Sequence, residues 1–283
     1  MSSRKVKSKS APPYIYDYQA GASNWQRAVE DMRAGWTRRK LWTDMALRAF
    51  KNKYRGAVFG AFWITITTGM TATGLGVLYG YLFNRPLAIH LPYVTTAIIV
   101  WSMITGLANG GCAVFAGNAH IFKEFPLPLS LFSYRLAFNQ LILLAYRSLV
   151  LIAVLLIFST PLKPIALLSF LGVVLVIWIG FWMSMGLGVL SARYKDFGEL
   201  VAAALTFIFF LTPIFWVPDR LGEYAFYINF NPFYHLIETV RGPILGHEDI
   251  LLHFEITIAL AIFAPIFGWS IYSRLSHRLP YWC

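Results

Sequence analysis

Charged side chains are missing from five long stretches of this chain, and that absence decides which solvent it folds in. Residues 56–84, 86–122, 164–192, 200–218 and 256–273 contain no Asp, Glu, Lys or Arg, and a sixth stretch, 136–161, is interrupted only by Arg147. A helix crossing a bilayer core needs about 20 mostly apolar residues. Each stretch therefore holds one span, at about 57–83, 92–117, 133–159, 165–190, 198–217 and 251–273. The composition agrees: 58% of residues are hydrophobic, 17% aromatic and only 13% charged, with a mean hydropathy of +0.58. That excludes a soluble domain of ordinary surface. The expected fold class is an all-α integral membrane protein with six transmembrane helices, residues 56–283 forming the membrane domain.

An even number of spans leaves both termini on one side. Of the 24 Lys and Arg residues, 13 precede the first span, and Lys123, Arg135, Arg193, Lys195, Arg274 and Arg278 fall on the same side of the predicted topology. The opposite loops carry Arg85, Lys163, Arg220 and Arg241. The positive-inside rule makes the richer side cytoplasmic. This massing beside a membrane also accounts for the net charge of +11 as a topology signal and an anionic-lipid contact, without nucleic acid.

Residues 1–24 read as a basic, disordered arm, with no apolar core of a signal peptide behind it. Residues 25–55 favour helix. Leu41, Trp42, Met45, Leu47 and Phe50 interleave with Arg38, Arg39, Lys40, Arg48, Lys51 and Lys53, the composition of a cytoplasmic helix lying in the interface plane. A solvated basic helix is the plainer alternative.

Between spans five and six, 212–246 is as aromatic as a span but broken by Pro213, Pro218, Gly222, Pro232 and Pro243. Asn231-Pro232 starts a short helix and Gly242-Pro243 stops it. Phe233, Ile237, Val240 and Ile244 share one face, and Glu238 and Arg241 stand one turn apart as a structural pair. Residues 218–246 are expected to form an outer re-entrant helical hairpin, since broken backbone survives at membrane depth only inside protein or beside water. No counterpart of this segment occurs in the first half, which argues against the repeated halves of an ion-coupled carrier.

No GxxxxGK[ST] phosphate loop occurs, so this chain cannot cradle a nucleotide phosphate that way; if transport is driven by ATP, then ATP and Mg are bound by another chain. The six histidines form no HExxH or Cys/His cluster, so no metal or catalytic residues are assigned. His247, Glu248 and Asp249 read as a solvated loop. Arg147 is the one charge near the middle of a span, where a lone cation costs about 2.5–3.5 kcal/mol on insertion scales. With Gln140 two turns earlier it either lines a substrate path or locks helix packing through hydrogen bonds. Trp216, Tyr227, Phe230 and Tyr234 belong to a dense aromatic set that reads as an interfacial belt or as rings stacking on a sugar. In the loop after span two, Asn118 can cap a short helix ended by Pro126. Ile121, Phe122 and Phe125 there, beside His120, Lys123 and Glu124, form an apolar nub suited to a partner's groove.

Several motifs, in order along 51–282, resemble those of the ABC-2 type transporter permeases, and within them the polysaccharide-export branch. KNKYRGAVFGAFW (51–63) is similar to the junction of interfacial helix and first span, and NAHIFKEFPLP (118–128) to the coupling-helix loop. ARYKDF (192–197) is similar to the second cytoplasmic turn, TPIFW with NPFYHLIETVRGPILG to the outer hairpin, and RLPYW to the closing segment of the glycan-export branch. The first 35 or so residues look like an extension beyond the usual family start. The resemblance implies a homodimeric permease of the bacterial inner membrane, joined to two copies of an ABC ATPase and exporting a lipid-linked or lipid-terminated polysaccharide, either the O-antigen of lipopolysaccharide or a capsule. It leaves open envelope-spanning export partners. ATPase coupling would run through Asn118, His120, Ile121, Phe122, Lys123, Glu124 and Phe125 with Arg48 and Lys51. The substrate path would involve Arg147, Gln140, Trp63, Trp216, Tyr227, Phe230 and Tyr234. Alternatives are an ABC-2 permease for a drug, teichoic acid or lipid, and a membrane-embedded transferase acting on lipid-linked sugars.

Overall fold

The computed structural model describes residues 23–247 and 249–283, without the side chains of residues 219–221. The expected N-terminal arm and Glu248 thus lie outside the described residues, apart from residues 23 and 24. The described residues form eleven α-helices and four short 3-10 segments, with no strand. In chain order these are α1 (Asn24–Thr37), α2 (Arg39–Lys53), α3 (Phe62–Leu82), α4 (Leu87–Cys112), α5 (Ala119–Glu124) and α6 (Ser130–Ile157). They continue as α7 (Leu168–Arg193), α8 (Phe197–Leu211), α9 (Pro232–Leu245), α10 (Ile250–Leu275) and α11 (Leu279–Trp282).

Four segments are long and apolar enough to cross a membrane: Leu87–Cys112, Ser130–Ile157, Pro164–Arg193 and Ile250–Trp282. The chain is a multi-pass membrane protein. The other two expected spans correspond to α3 and α8, and each falls short for a physical reason. α3 has 21 residues but is rich in Thr and Gly. Its hydroxyls are satisfied locally, Thr67 donating to the Trp63 carbonyl and Thr71 to that of Thr67, while Thr65 reaches across to the Tyr146 carbonyl of α6 at 2.9 Å. Hydroxyls paired in this way suit a helix packed among helices. α8 has 15 residues, about 22 Å at 1.5 Å per residue, because the chain turns extended at Thr212 before Pro213.

α4 is the hub. Its apolar stretch is 78% buried, against 11–28% for the other three, and the helix starts at Leu87 and continues through Pro92. α3, α6, α7, α8 and α9 pack around it, with small residues at the closest approaches. A methyl group added at Gly111 would sit 2.8 Å from the Ser184 Cα of α7. Two apolar cores result. One, toward α9, includes Val94, Met103, Leu107, Ile214 and Ile237; the other, toward α5, includes Phe115, Leu131, Phe132, Met185 and Tyr272.

The helix expected over residues 25–55 is two helices, interrupted at Arg38 (φ −84°, ψ 32°). A capping box opens α1: the Ser23 hydroxyl accepts from the Gln26 amide, and the Gln26 side chain accepts from the Ser23 amide. α1 packs on α6 and α10, and α2 on α6. The apolar residues of α2 divide accordingly. Trp42 and Met45 pack into the core near α5, whereas Leu41 and Leu47 are 38% and 40% exposed.

Candidate functional site

Two constellations of polar groups stand at opposite ends of the helical body. The first is built on α9. Asn231 caps the helix, its side-chain oxygen accepting from the Phe233 amide at 3.0 Å, with Pro232 at the first position. Its other side-chain atom donates to the Thr212 hydroxyl at 2.9 Å. The segment between them is a 3-10 helix (Pro218–Phe230) bent at Gly222 (φ 52°, ψ −122°), a backbone state that favours glycine. α9 does not stop at Gly242-Pro243; it runs on to Leu245 and ends at left-handed Gly246 (φ 74°). Pro243 cannot donate to the Thr239 carbonyl. α7 covers that carbonyl instead, at Gly172, where an added Cβ would lie 2.6 Å from the oxygen.

Ile237, Val240 and Ile244 are buried and Phe233 half-buried on one face of α9. On another, Arg241 is fully buried. Its Nε donates to Glu238 Oε1 at 3.0 Å, its Nη2 to the same oxygen, and its Nη1 to the Pro213 carbonyl at 3.0 Å. The guanidinium lies 3.7 Å from the ring centre of Tyr93 on α4, whose hydroxyl contacts the carbonyls of Pro213 and Trp216 at 3.2 Å. Glu238 Oε2 meets His247 Nδ1 at 3.0 Å. A desolvated cation–π contact contributes about 2 kcal/mol. Removing one member of a buried ion pair costs about 3–5 kcal/mol, because the other is left buried and unpaired. Glu238 and Arg241 therefore tie α9 to α4 and to the strand-like turn before the 3-10 helix.

Sequence spacing did not bring the histidines of this end together; folding does. His235 Nδ1 and His253 Nδ1 lie 2.8 Å apart, and His235 Nε2 is 2.8 Å from the Asn229 carbonyl. Since a carbonyl only accepts, His235 donates through Nε2, and with both rings neutral the shared proton sits on His253 Nδ1. Thr239 and Thr257 bridge α9 and α10 beside them at 2.7 Å. Next to this network opens a cleft of about 840 Å³. Tyr234 borders it, whereas Trp216, Tyr227 and Phe230 border a separate apolar groove under the 3-10 helix. Gln140, Arg147 and Trp63 border neither. Gln140 is buried against Gly106, with its Oε1 unpaired, and Arg147 is half-buried near Tyr54 with Nη1 unpaired. Trp63 is 42% exposed beside Phe59.

The second constellation is at α5, where Asp31 is the part with no sequence signal. Its carboxylate accepts the amides of Leu129 (2.7 Å) and Ser130 (2.9 Å) at the start of α6 and the Tyr272 hydroxyl (2.6 Å) of α10, while the Ser130 hydroxyl donates to its carbonyl. One side chain of α1 thus caps a helix almost a hundred residues away. Burial pushes the Asp31 carboxyl above its ordinary range, and hydrogen bonds from Tyr272, Ser130 and Leu129 pull it partly back. Asn118 does not cap α5. Its amide donates to the Val114 carbonyl at 2.7 Å and its oxygen accepts from Arg135 at 2.8 Å, so the geometry an N-cap requires is already spent. α5 ends at Glu124 and Phe125 turns extended before Pro126. Ile121 and Phe122 point into the core, Phe122 against the Phe132 ring at 6.0 Å. His120, Lys123, Glu124 and Phe125 are exposed, Phe125 by 58%, as are Arg48 and Lys51 on α2. Lys123 Nζ donates to the Cys283 carbonyl at 2.7 Å. The apolar nub expected on this loop is thus reduced to Phe125, with a charged surround. Among the described residues no group of three or more His, Cys, Asp or Glu could hold a metal ion.

The family model described as "ABC-2 type transporter" matches residues 41–245, from α2 through α9. The chain belongs to that family. Two relatives, both from Klebsiella pneumoniae and both called O-antigen export system permease protein RfbA, are 23% and 21% identical to it over 242 and 238 residues. Each alignment covers 81% of this chain and 89% of the relative. The ABC-2 domain is a membrane permease domain without a nucleotide-binding domain, so an ABC-2 permease implies a partner ATPase. In this ABC-2 permease the tie at Arg241 and the α5 loop both lie within the matched range, whereas α1 with Asp31, and α10 with Tyr272 and His253, lie outside it.

Proposed function

We propose that this ABC-2 permease is the membrane subunit of an ATP-driven exporter that moves a lipid-linked or lipid-terminated polysaccharide of the O-antigen or capsule type across the bacterial cytoplasmic membrane. The observation that carries the reading is the alignment with two O-antigen export permeases over 89% of their length. In this reading α3 and α8 join the four long apolar segments as spans, both termini are cytoplasmic, and α9 with the preceding 3-10 helix forms the outer hairpin. The ATPase, in two copies, binds ATP and Mg and docks on His120, Lys123, Glu124 and Phe125 with Arg48 and Lys51 nearby. A second permease copy covers faces that one chain leaves bare: α8 buries only Leu205 and exposes Leu200, Phe207, Phe210 and Leu211. The rings of Trp216, Tyr227 and Phe230, gathered in one groove, suit contact with the departing glycolipid. Deleting the gene is expected to leave cells without surface glycan and with polymer accumulated inside, restored by the full chain. A normal glycan coat with altered drug sensitivity would assign another cargo, and isolation from native membranes without an ATPase would end the transport reading.

A further inference from the structure

At the α5 end of the bundle a smaller cleft, of about 270 Å³, opens between the end of α2, the end of α4 and the first turns of α6. Phe50 and Leu136 give it apolar walls, while its polar members are Lys53, Asn118, Arg135 and Asn139. No Asp or Glu borders it, and Asp44 of α2 is exposed outside it. Among the described residues neither Lys53 nor Arg135 makes an ion pair. These donors are within a ligand's reach. Arg135 gives Nη2 to Asn118 at 2.8 Å; its other donors and the Asn139 carboxamide have no hydrogen-bond partner among the described residues and are not sealed from solvent. Lys53 is exposed, and Arg135 and Asn139 are half-buried. The carbonyls at the end of α4 that could compete for them already accept: those of Asn109, Gly111 and Ala113 from the amides of Ala113, Val114 and Gly117, and that of Val114 from Asn118.

Two cations and a carboxamide facing one cleft without a carboxylate select an anion, and a guanidinium with free donors matches the geometry of a phosphate. Position selects a phosphate carried by a lipid. α6 has 28 residues and is about 42 Å long at 1.5 Å per residue, the thickness of a bilayer with its headgroup layers, about 40–45 Å. Arg135 lies in the second turn of α6, so it stands where the heads of membrane lipids meet their chains. Basic pockets between transmembrane helices hold the phosphates of lipid headgroups. The size agrees: 270 Å³ is just under the roughly 300–1,000 Å³ of small-molecule sites, space for a phosphate and its linking atoms with the chains left in the bilayer.

We infer that this cleft holds the phosphate headgroup of a membrane lipid through Lys53, Arg135 and Asn139. The site rests on the multi-pass fold and holds whatever cargo the permease exports. Two kinds of lipid carry such a group, an acidic phospholipid of the bilayer and an isoprenoid phosphate. The test uses the full chain with its partner ATPase, purified in detergent and stripped of lipid. The complex is titrated with phosphatidylglycerol and the bound lipid is counted by native mass spectrometry; phosphatidylcholine, whose phosphate is offset by its own cation, is the control. Two variants separate binding from folding. Lys53→Gln with Arg135→Gln removes both charges and keeps a donor for Asn118. Ala49→Glu, at an exposed position of α2 on the cleft wall, adds a carboxylate without touching either cation.

The wild type is expected to bind its first phosphatidylglycerol more tightly than any phosphatidylcholine. Each variant should weaken that binding by about tenfold or more while still co-purifying with the ATPase. Equal affinity in wild type and both variants would overturn the site, as would phosphatidylcholine bound as tightly as phosphatidylglycerol. Inorganic phosphate binding with the same affinity would overturn the assignment to a lipid. Polyprenyl phosphate added in equal amount identifies the source: displacement of phosphatidylglycerol assigns the cleft to an isoprenoid carrier, no displacement to a bilayer phospholipid, and either supports a lipid phosphate. A deletion strain with an unchanged glycan coat would remove the export reading and leave this site standing.

Discussion

The α9 end and the α5 end of the permease spend their charges in opposite ways. At α9, Arg241 and Glu238 are 0% and 2% exposed and satisfy each other, a carbonyl, a ring and a histidine. At α5, Asp31 and Asn118 turn inward, each fixing a helix terminus or loop, with Arg135 half-buried against Asn118, while His120, Lys123, Glu124 and Phe125 stay at the surface. A buried ion pair is a poor source of net stability but a strict specification of geometry, because the wrong arrangement strands a charge. An exposed cluster adds little to folding and stays available to a partner. The contrast implies that one end is built to hold a shape and the other to be held.

Breaking the α9 tie should have the largest effect. Glu238→Gln leaves Arg241 buried without its counter-charge and is expected to cost about 3–5 kcal/mol, read as a lowered midpoint of thermal unfolding and loss of the assembled complex in detergent. Intact assembly with lost export would instead place the pair in the substrate path. Asp31→Ala comes next. It frees two backbone amides and the Tyr272 hydroxyl, and because Asp31 is only half-buried water takes over part of their hydrogen bonding, so a total of about 1–3 kcal/mol is expected. Faster hydrogen exchange at the start of α6, with α9 unaffected, is the expected signature; an equal change at both ends would mean that they are not independent. The smallest effect on stability, within about 0.5 kcal/mol, is expected for Phe125→Asp. That variant should lose ATPase in pull-downs, whereas Phe122→Asp should destabilise the permease itself through its contact with Phe132. Unchanged ATPase binding by Phe125→Asp would refute the docking surface.

Local rules foresaw much of the first end and little of the second. Asn231-Pro232 announces the start of α9, and the apolar spacing of Phe233, Ile237, Val240 and Ile244 announces its buried face, since both are read within a few residues. Its end was misplaced at Pro243 because a proline is tolerated where tertiary packing, here α7 at Gly172, covers the carbonyl it frees. The four long apolar segments could be read from missing charges. The break at Arg38 could not, because residues 25–55 carry helix-favouring residues throughout. Asp31 with Tyr272 and His235 with His253 are partners made by tertiary structure; neither pair lies at a spacing with local meaning. Asn118 misled for the opposite reason: it is a good N-cap residue whose two side-chain functions are claimed by Val114 and Arg135.

The bond between the Asn231 side chain and the Thr212 hydroxyl has a consequence for how such permeases diversify. It ties the two ends of the segment between those residues together like a drawstring, with Arg241 gripping the Pro213 carbonyl just inside the knot. The cost of closing a flexible loop grows only by about 0.6 kcal/mol for each doubling of its length. Residues can therefore be added to or removed from the bend around Gly222 without loosening the helices below. Changes in the length of this bend are therefore expected to leave α8 and α9 in place.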